Sequence, residues 1–308
     1  MRVVYLGTPD FSIAPLDAIF NSNHTLVGVI TQPDKESGRG KKIAFSPVKD
    51  YALKKGIPLL QFANISRDGE EAIRKLLPDI MVTCAYGQIL KQNILDICQI
   101  INIHASLLPK YRGSSPVQWA LINGEEDVGV TIMKTELGVD TGDIILQSKI
   151  RLQGTENCEE TLILLSDIGA KSIIKALDLI ENNKAVYVKQ DDSEATHCKM
   201  LKKEDGKIDF SLSNEQIKNF IRGMSPWPGA FTTLNGSVLR IRKAEICDVT
   251  QGTKIGEVVV ADNKNGLIVK CGVGCLRILE LQSENSKAMN SKAYLNGHII
   301  LLGSVLGE

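Results

Sequence analysis

The side chains best suited to chemistry stand at the end of one apolar run. Asn102 and His104 close the segment QIINIH, and the alternation of a strand places both on one face, with Ile103 on the other. An amide beside an imidazole can hold and polarise a carbonyl group, as oxyanion donors do. From spacing alone, however, an Asn and a His at a strand end are more often structural, with their polar atoms bonded to the backbone.

A second set of candidates lies in the segment LGVDTGD, residues 137–143. Its glycines allow the backbone to pack closely against a ligand or another loop. Asp140 and Asp143 are the candidates there. Aspartates in a Gly-rich turn also bond their own backbone, and the spacing by itself favours that structural interpretation.

The common cofactor fingerprints are missing from the sequence. Gly7-Thr8-Pro9-Asp10 follows the first apolar run, but it does not form a G-x-G-x-x-G motif. The glycines of residues 38–42 (GRGKK) are too close together for a P-loop, and there is no G-x-S-x-G motif of a serine hydrolase. These absences argue against a nicotinamide oxidoreductase, an NTPase and a serine hydrolase.

A basic segment, DKESGRGKK, covers residues 34–42. Read alone, such a segment is most simply a solvated surface loop. Its basic residues could equally contact a phosphate backbone, the main source of affinity in nucleic-acid binding. They are Lys35, Arg39, Lys41 and Lys42.

The first half of the chain alternates short apolar runs with helical stretches. Strands are predicted at 3–6, 26–31, 80–84, 100–104, 128–133 and 144–150. Ser46-Pro47 and Ser115-Pro116 have the pattern of a helix N-cap followed by Pro, and a long amphipathic helix is predicted from Thr155. This alternation predicts an α/β fold, a doubly wound and mostly parallel Rossmann-like sheet that binds ligands beyond the carboxyl ends of its strands.

The pattern changes after about residue 190. Residues 190–205 are polar and without period, which indicates a linker. Short strands separated by turn signals such as Asn235-Gly236 and Asn265-Gly266 follow, a pattern typical of a small β-barrel. We therefore predict two domains, 1–189 and 206–308, joined by the linker.

Composition limits the remaining possibilities. The chain has 308 residues, with 36 basic and 36 acidic side chains, so its overall charge gives no sign of a nucleic-acid partner. The seven cysteines include no C-x-x-C pair, which favours reduced, mostly buried thiols without a metal. The amino terminus does not resemble a secretory signal, and no apolar run reaches the roughly 18 residues of a membrane span. We expect a cytoplasmic protein without a membrane partner.

Three blocks taken together, in this order, resemble the folate-dependent formyltransferase family. They are Asn102-Ile103-His104, the turn SLLPKYRG at 106–113, and Asp140-Thr141-Gly142-Asp143. The branch that acts on tRNA is further suggested by the segments LGTPDF at 6–11, GRGKK at 38–42, CAYGQIL at 84–90 and SPWPGA at 225–230. The resemblance covers nearly the whole chain and implies a Rossmann-like catalytic domain followed by an OB-like β-barrel that binds tRNA.

The resemblance implies formyl transfer from 10-formyltetrahydrofolate, as cosubstrate, to the α-amino group of methionine esterified to initiator tRNA. Asn102, His104 and Asp140 match the catalytic residues of the family. Attack by the amine creates a tetrahedral carbon with a developing oxyanion, which Asn102 can stabilise as a donor, and so can His104 if it is protonated. Asp140 can take the proton that the nitrogen must lose, directly or through water. The chemistry requires no metal and no covalent enzyme intermediate.

The same resemblance assigns the binding residues. Folate binding is implied for Ser106, Leu107, Leu108 and Pro109, and for Tyr86, Gly87, Gln88, Ile89 and Leu90, with the loop 137–142 as a further wall of the pterin pocket. The basic segment matches the tRNA-contacting insertion of the family, which implies tRNA contacts by Arg39, Lys41 and Lys42. A monomer would suffice for this reaction.

Three other functions are compatible with parts of the sequence. A formyltransferase acting on a small amine would share Asn102, His104 and Asp140 but would have no need for the basic segment. A hydrolase that releases formate from the folate would use water in place of the amine, and the C-terminal barrel weighs against it. A non-catalytic RNA-binding protein would not need the three catalytic residues.

Overall fold

The computed structural model of the chain describes residues 1–37 and 42–308, with the backbone alone at positions 36, 37, 42 and 43. Its residues group into two units. The first unit contains Met1–Gly113, Asp127–Ile150 and Leu162–Cys198, and the second contains Ser114–Glu126, Arg151–Thr161 and Lys199–Glu308. The last passage from the first unit to the second falls at Cys198–Lys199, within the segment 190–205.

The strands follow the apolar runs of the sequence, and each of the six strands predicted in the first half is present with its ends within one residue of the prediction. The strands are β1 (Arg2–Gly7), β2 (Thr25–Thr31), β3 (Lys35–Ser37), β4 (Lys42–Ala44), β5 (Leu59–Gln61), β6 (Ile80–Cys84), β7 (Gln99–His104), β8 (Arg112–Gly113), β9 (Asp127–Lys134), β10 (Ile144–Arg151), β11 (His197–Cys198), β12 (Phe231–Leu234), β13 (Ser237–Cys247), β14 (Val258–Asp262), β15 (Gly266–Lys270), β16 (Cys275–Ser283) and β17 (Met289–Asn290).

The helices are α1 (Ile13–Phe20), α2 (Pro47–Lys55), α3 (Ile65–Asp68), α4 (Glu70–Lys75), α5 (Gln92–Leu95), α6 (Pro116–Ile122), α7 (Cys158–Glu181), α8 (Asn214–Met224) and α9 (Ser291–Gly297). Short 3-10 helices occupy Asp10–Ser12, Asp192–Glu194 and Lys203–Gly206. The long helix predicted from Thr155 is α7, which begins three residues later because Asn157 accepts a hydrogen bond from the N–H of Glu160, as an N-cap residue does.

The first unit is built on a sheet of strand order β10-β9-β7-β6-β1-β2-β5. The pairs β1–β2, β2–β5, β1–β6 and β6–β7 are parallel, and β7–β9 is antiparallel. β1 and β6 are buried almost throughout, as expected for apolar strands that are covered on both faces. The predicted Rossmann-like, mostly parallel sheet is confirmed.

The order of the strands reverses at β1. The chain runs from β1 to β2 and β5 on one side, and then continues with β6 and β7 on the other. Ligands of such sheets bind beyond the carboxyl ends of the strands at this reversal. Thr83 of β6 lies beside Asn102 near the carboxyl end of β7, which places Asn102 and His104 at the edge where a ligand is expected.

The second unit is centred on a sheet of order β12-β13-β16-β15-β14, with β17 paired to β16. Its strand pairs are antiparallel, which confirms the predicted series of short, turn-linked strands. Helix α8 begins with a capping box formed by Ser213 and Gln216. The buried core of this unit includes Ile217, Ile221, Leu239, Ile241, Leu276 and Ile278.

One of the two predicted N-caps with a following Pro is correct in full. Ser46 accepts a hydrogen bond from the N–H of Lys49, and Gly56 ends α2 with φ of 67°. Helix α6 also begins at the predicted Pro116, but Ser115 has φ of 63° and its side chain makes no capping bond. An N-cap residue needs an extended backbone, so the cap assigned to Ser115 was wrong.

The cysteines carry free thiols. Burial raises the pKa of Cys84, Cys158 and Cys271 to about 12, so these thiols are neutral at physiological pH. Within residues 1–37 and 42–308, no helix is both long and apolar enough to cross a lipid bilayer.

Candidate active site

Asn102 stands near the carboxyl end of β7 with its amide held by the neighbouring strand. The hydroxyl of Thr83 donates to Asn102 Oδ1 at 2.8 Å. Because this bond occupies the oxygen side of the amide, the NH₂ group of Asn102 is the part left to donate to a ligand. The strand pairing therefore orients Asn102 as a hydrogen-bond donor.

His104 ends the same strand and is buried, with 6% of its surface exposed. Its Nε2 lies 2.9 Å from the carbonyl oxygen of Tyr111. A carbonyl can only accept, so Nε2 carries a proton and donates it. The other ring nitrogen, Nδ1, faces Asp140 Oδ2 at 3.6 Å, longer than a hydrogen bond.

Asp140 comes to His104 from a loop more than thirty residues further along the chain. The N–H of Gly113 donates to Asp140 Oδ2 at 2.8 Å, and this bond aims the carboxylate at the imidazole. Asp140 itself has φ of 54°, in the left-handed region that a residue other than glycine rarely adopts. The fold thus brings His104 and Asp140 together, two of the three residues that the resemblance assigns to catalysis. The third, Asn102, lies on the same strand as His104, two residues earlier.

Gly142 of this loop is required because the backbone of Lys134 packs closely against it. A Cβ atom at Gly142 would stand 1.9 Å from the carbonyl oxygen of Lys134. Next to it, the N–H of Lys134 donates to the carbonyl of Asp143 at 2.9 Å. Asp143 therefore closes the turn through its backbone, whereas Asp140 directs its carboxylate toward His104.

The turn that follows β7 is held mainly by its own hydrogen bonds and by those of Thr131. Ser106 Oγ donates to the carbonyl of Lys110 at 2.7 Å. The hydroxyl of Thr131 donates to the carbonyl of Ser106 at 2.7 Å and accepts from the N–H of Leu108 at 3.1 Å. These bonds fix the path of the chain from His104 to Tyr111, whose carbonyl holds the imidazole.

The segment 86–90 follows β6. The carbonyl of Tyr86 accepts from Thr8 Oγ1 and Gln32 Nε2, each at 3.0 Å, and burial raises the pKa of Tyr86 to about 12. The amide of Gln88 bonds the backbone of Ile65 and Phe62, so it fixes this segment. Leu90 is buried and Ile89 is 78% exposed. Of this segment, Ile89 offers the largest free apolar surface.

Sequence reasoning missed several residues that support the site, among them Thr83, Thr131 and three residues in the segment predicted as a linker. Gln190 is buried and its Nε2 donates to the carbonyls of Asp140 and Gly142. Thr196 Oγ1 accepts from the N–H of Tyr111 at 2.8 Å. Cys198 is buried against the carbonyls of Tyr111 and Arg112. Its pKa is raised to about 11, mainly by burial and also by the charge of Asp140.

The proposed tRNA contacts lie largely outside the described residues. Arg39 and Lys41 belong to 38–41, and only the backbone of Lys42 is described. The flanking strands β3 and β4 pair antiparallel, with Ser37 opposite Lys42.

The geometry has the parts that acyl transfer to an amine requires. Asn102 presents a hydrogen-bond donor, as stabilisation of an oxyanion requires. Asp140 presents a carboxylate, which can accept a proton. His104 lies beside both, with its ring fixed by the carbonyl of Tyr111.

Comparisons with known proteins agree with this chemistry. The sequence profile described as formyl transferase matches residues 1–177, and the profile of the formyl transferase C-terminal domain matches residues 200–299. The methionyl-tRNA formyltransferase of Lachnospira eligens is 44% identical over 317 aligned residues, covering 100% of both chains. That of Caldanaerobacter subterraneus subsp. tengcongensis is 41% identical over 310 residues, covering 99% of this chain and 100% of the relative.

A solved structure shows the same architecture at lower identity. The N-formyltransferase from Helicobacter canadensis, crystallised with folinic acid and dTDP-3-aminofucose, aligns with a TM-score of 0.68 and 18% identity. The alignment covers 92% of this chain and 99% of that one. At this identity the likeness concerns the fold.

Proposed function

This chain belongs to the formyl transferase family, and we propose that it transfers the formyl group of 10-formyltetrahydrofolate to the α-amino group of initiator methionyl-tRNA. The product is N-formylmethionyl-tRNA, which serves translation initiation. The observation that carries the proposal is the 44% identity, over the whole chain, to a methionyl-tRNA formyltransferase.

The reaction begins when the amine nitrogen attacks the formyl carbon, and the carbonyl oxygen gains negative charge. The NH₂ group of Asn102 donates to that oxygen, with its orientation set by Thr83. A fixed donor of this kind stabilises the transition state because it needs no rearrangement when the charge develops. The attack forms the new C–N bond, and collapse of the tetrahedral intermediate then breaks the bond between the formyl carbon and N10 of the folate.

Proton transfer completes the exchange. The attacking nitrogen loses one proton, and N10 of the departing tetrahydrofolate gains one, so the overall reaction is balanced. Asp140 accepts the proton of the amine, directly or through water, and His104, when protonated, donates to the same oxyanion as Asn102. The 3.6 Å separation of His104 Nδ1 from Asp140 Oδ2 leaves both groups available to a reacting atom or a water.

The folate site that we propose contains two segments and a loop. The two segments are formed by Tyr86, Gly87, Gln88, Ile89, Leu90, Ser106, Leu107, Leu108 and Pro109. The loop is 137–142, where Leu137 and Val139 are 63% and 59% exposed. Exposed apolar side chains such as these and Ile89 support the proposal, because they can cover the faces of a pterin while backbone groups bond its edge.

For tRNA binding we assign Arg39, Lys41 and Lys42, which would contact the phosphate backbone of the acceptor end. We further assign residues 1–189 to catalysis and 206–308 to tRNA binding by an OB-like barrel; the linker, 190–205, also contributes Gln190, Thr196 and Cys198 to the support of the catalytic site. The antiparallel sheet of the second unit supports that last assignment. A monomer suffices for the reaction, and a charged tRNA as substrate implies a cytoplasmic enzyme.

The experiment that tests this function offers three acceptors in parallel. The protein is incubated with 10-formyltetrahydrofolate and either methionyl-initiator tRNA, a dTDP-linked amino sugar, or water alone, and the formylated product and formate are quantified. We expect formyl-methionine on the tRNA as the main product. Preferential formylation of the sugar, or release of formate at the same rate without any acceptor, would overturn the proposal.

A further inference from the structure

We propose that Gln190 is a positioning residue for the reaction, held by the buried Arg112, and that it fixes the loop which carries Asp140. The inference rests on the proposed function for its kinetic consequence, but its structural consequence can be measured independently. Gln190 acts through the loop and makes no contact with the side chains of Asn102, His104 or Asp140 among the hydrogen bonds described.

Both ends of the Gln190 amide are hydrogen-bonded, the nitrogen to the loop and the oxygen to Arg112. Its Nε2 donates to the carbonyl of Asp140 at 2.9 Å and to that of Gly142 at 2.8 Å. Its Oε1 accepts from Arg112 Nε at 3.0 Å. The two donated bonds lie on either side of Thr141, so one side chain fixes the backbone at both ends of that turn.

Arg112 in turn holds Gln190 from a buried position. Only 4% of Arg112 is exposed, and its second contact is a bond from the guanidinium to Asp192 Oδ1 at 2.8 Å. The backbone of Arg112 is fixed by the pairing of β8 with β11. Burial and the strand pairing restrict the planar guanidinium, so that its Nε–H orients the amide of Gln190.

Tyr111 and the two residues of strand β8 bond His104, Gln190 and Asp140 in turn. The carbonyl of Tyr111 accepts from His104, the side chain of Arg112 bonds Gln190, and the N–H of Gly113 donates to Asp140. Three consecutive residues therefore fix the imidazole, the carboxylate and the backbone that carries the carboxylate. This shared support couples the position of Asp140 to that of His104.

The loop needs such support because little else holds it. Asp140 has an unfavourable left-handed backbone with φ of 54°, and such conformations persist only where the surroundings enforce them. Leu137 and Val139 are mostly exposed, so apolar packing contributes little to the loop. The two bonds from the buried side chain of Gln190, together with the N–H of Gly113, are then the main restraint on residues 140–142.

Two substitutions test the role of Gln190. Gln190→Met removes the donors and the acceptor at nearly constant volume. Gln190→Glu keeps the acceptor for Arg112 and removes both donors to the loop. Asp192→Asn is the matched control. Asp192, whose side chain is 77% exposed, is the other partner of Arg112, and its substitution leaves the contact of Gln190 with the loop in place.

Two readouts are combined: kcat and KM for methionyl-tRNA, and hydrogen exchange of the amides of 137–142 by mass spectrometry. Both Gln190 variants should lower kcat about 10- to 100-fold, the range caused by small misplacement of a reacting group, with KM for tRNA within twofold of wild type. Exchange in 137–142 should accelerate at least about tenfold, while β1 and β6 exchange as in wild type, a locality expected of sub-global opening. Asp192→Asn should stay within about twofold in both readouts.

The outcomes separate this inference from the proposed function. If wild type does not formylate tRNA but the Gln190 variants loosen 137–142 alone, the function fails and the positioning role stands. Unchanged exchange in 137–142 in both variants overturns the inference, whatever happens to kcat. Faster exchange throughout β1 and β6 overturns it as well, because it would show a general structural role.

Discussion

For single residues, the chemistry of the candidate site depends on which atoms of each polar side chain are left to donate or accept a hydrogen bond. Thr83 decides this for Asn102, because its hydroxyl binds the amide oxygen and leaves the NH₂ group free to donate. The carbonyl of Tyr111 decides it for His104, because it requires a proton on Nε2. Neither Thr83 nor Tyr111 has to contact the substrate for these effects.

The role of Thr83 leads to a prediction about activity. Thr83→Val keeps the shape of the side chain and removes the hydroxyl, so the amide of Asn102 loses a hydrogen bond worth about 1 kcal/mol. We expect kcat/KM to fall roughly fivefold, whereas Asn102→Ala should lower it about 100-fold or more, as loss of an oxyanion donor does. Steady-state formylation of methionyl-tRNA measures both. A larger loss for Thr83→Val than for Asn102→Ala would contradict this order.

At the scale of elements, the loop between β9 and β10 is shaped by close backbone contact. The Cβ of an alanine at position 142 would stand 1.9 Å from the carbonyl of Lys134, which itself belongs to a strand and cannot move freely. At Gly297, in contrast, a Cβ would meet no atom within 4 Å. The two glycines therefore form a matched pair for substitution.

We predict that Gly142→Ala costs about 1–3 kcal/mol in the free energy of unfolding, the usual range for overpacking, and also displaces Asp140. Its kcat should fall together with its stability. Gly297→Ala should change stability by less than about 0.5 kcal/mol and leave kcat unchanged. Urea unfolding and formylation kinetics are the measurements. Equal behaviour of the two variants would show that the loop tolerates a Cβ by moving.

The elements also show how far the sequence can be interpreted. Strands β1 and β6 are nearly continuous apolar runs, so they were predictable, and the alternation of QIINIH in β7 placed Asn102 and His104 on one face. The segment from Gln190 to Cys198 was predicted as a linker because it has no period. Its polar residues are satisfied by partners far away in sequence, 78 residues away for Arg112 and 50 for Asp140, and such pairing leaves no local signal.

The assignment of Asp140 to catalysis likewise did not follow from local pattern. Spacing favoured a plain turn for both aspartates, and the resemblance to formyltransferases singled out Asp140. The structure gives the physical difference between them: Gly113 aims the carboxylate of Asp140 at His104, whereas Asp143 contributes its carbonyl to the turn. Only the folded chain brings Gly113 close to Asp140.

At the scale of the whole molecule, buried thiols make stability sensitive to alkali. Cys84, Cys158 and Cys271 are at most 2% exposed, and burial raises the pKa of each to about 12 from a usual value of 9.0. In the unfolded chain they ionise near the usual value. Their contribution to stability is therefore complete below pH 9 and is lost as the pH rises from about 9 toward 12.

We expect the free energy of unfolding to fall by about 1 kcal/mol per buried thiol between pH 8 and pH 10. Calorimetric melting temperatures at these two pH values measure the change. Between pH 8 and pH 10 the free energy of unfolding of Cys158→Ala should fall by about 1 kcal/mol less than that of wild type. This difference is expected even if the variant is less stable at pH 8. A pH dependence identical to that of wild type would contradict the contribution of this thiol.

We place formyl transfer to methionyl-tRNA at the site where Asp140 faces His104. The most direct measurement is single-turnover formylation of methionyl-tRNA by wild type, Asp140→Asn and Asp143→Asn, with folding checked by melting temperature. We predict a rate about 100-fold or more below wild type for Asp140→Asn, as loss of a general base causes, and a rate near wild type for Asp143→Asn. Equal rates for the three proteins, or a loss confined to Asp143→Asn, would contradict this placement of the reaction.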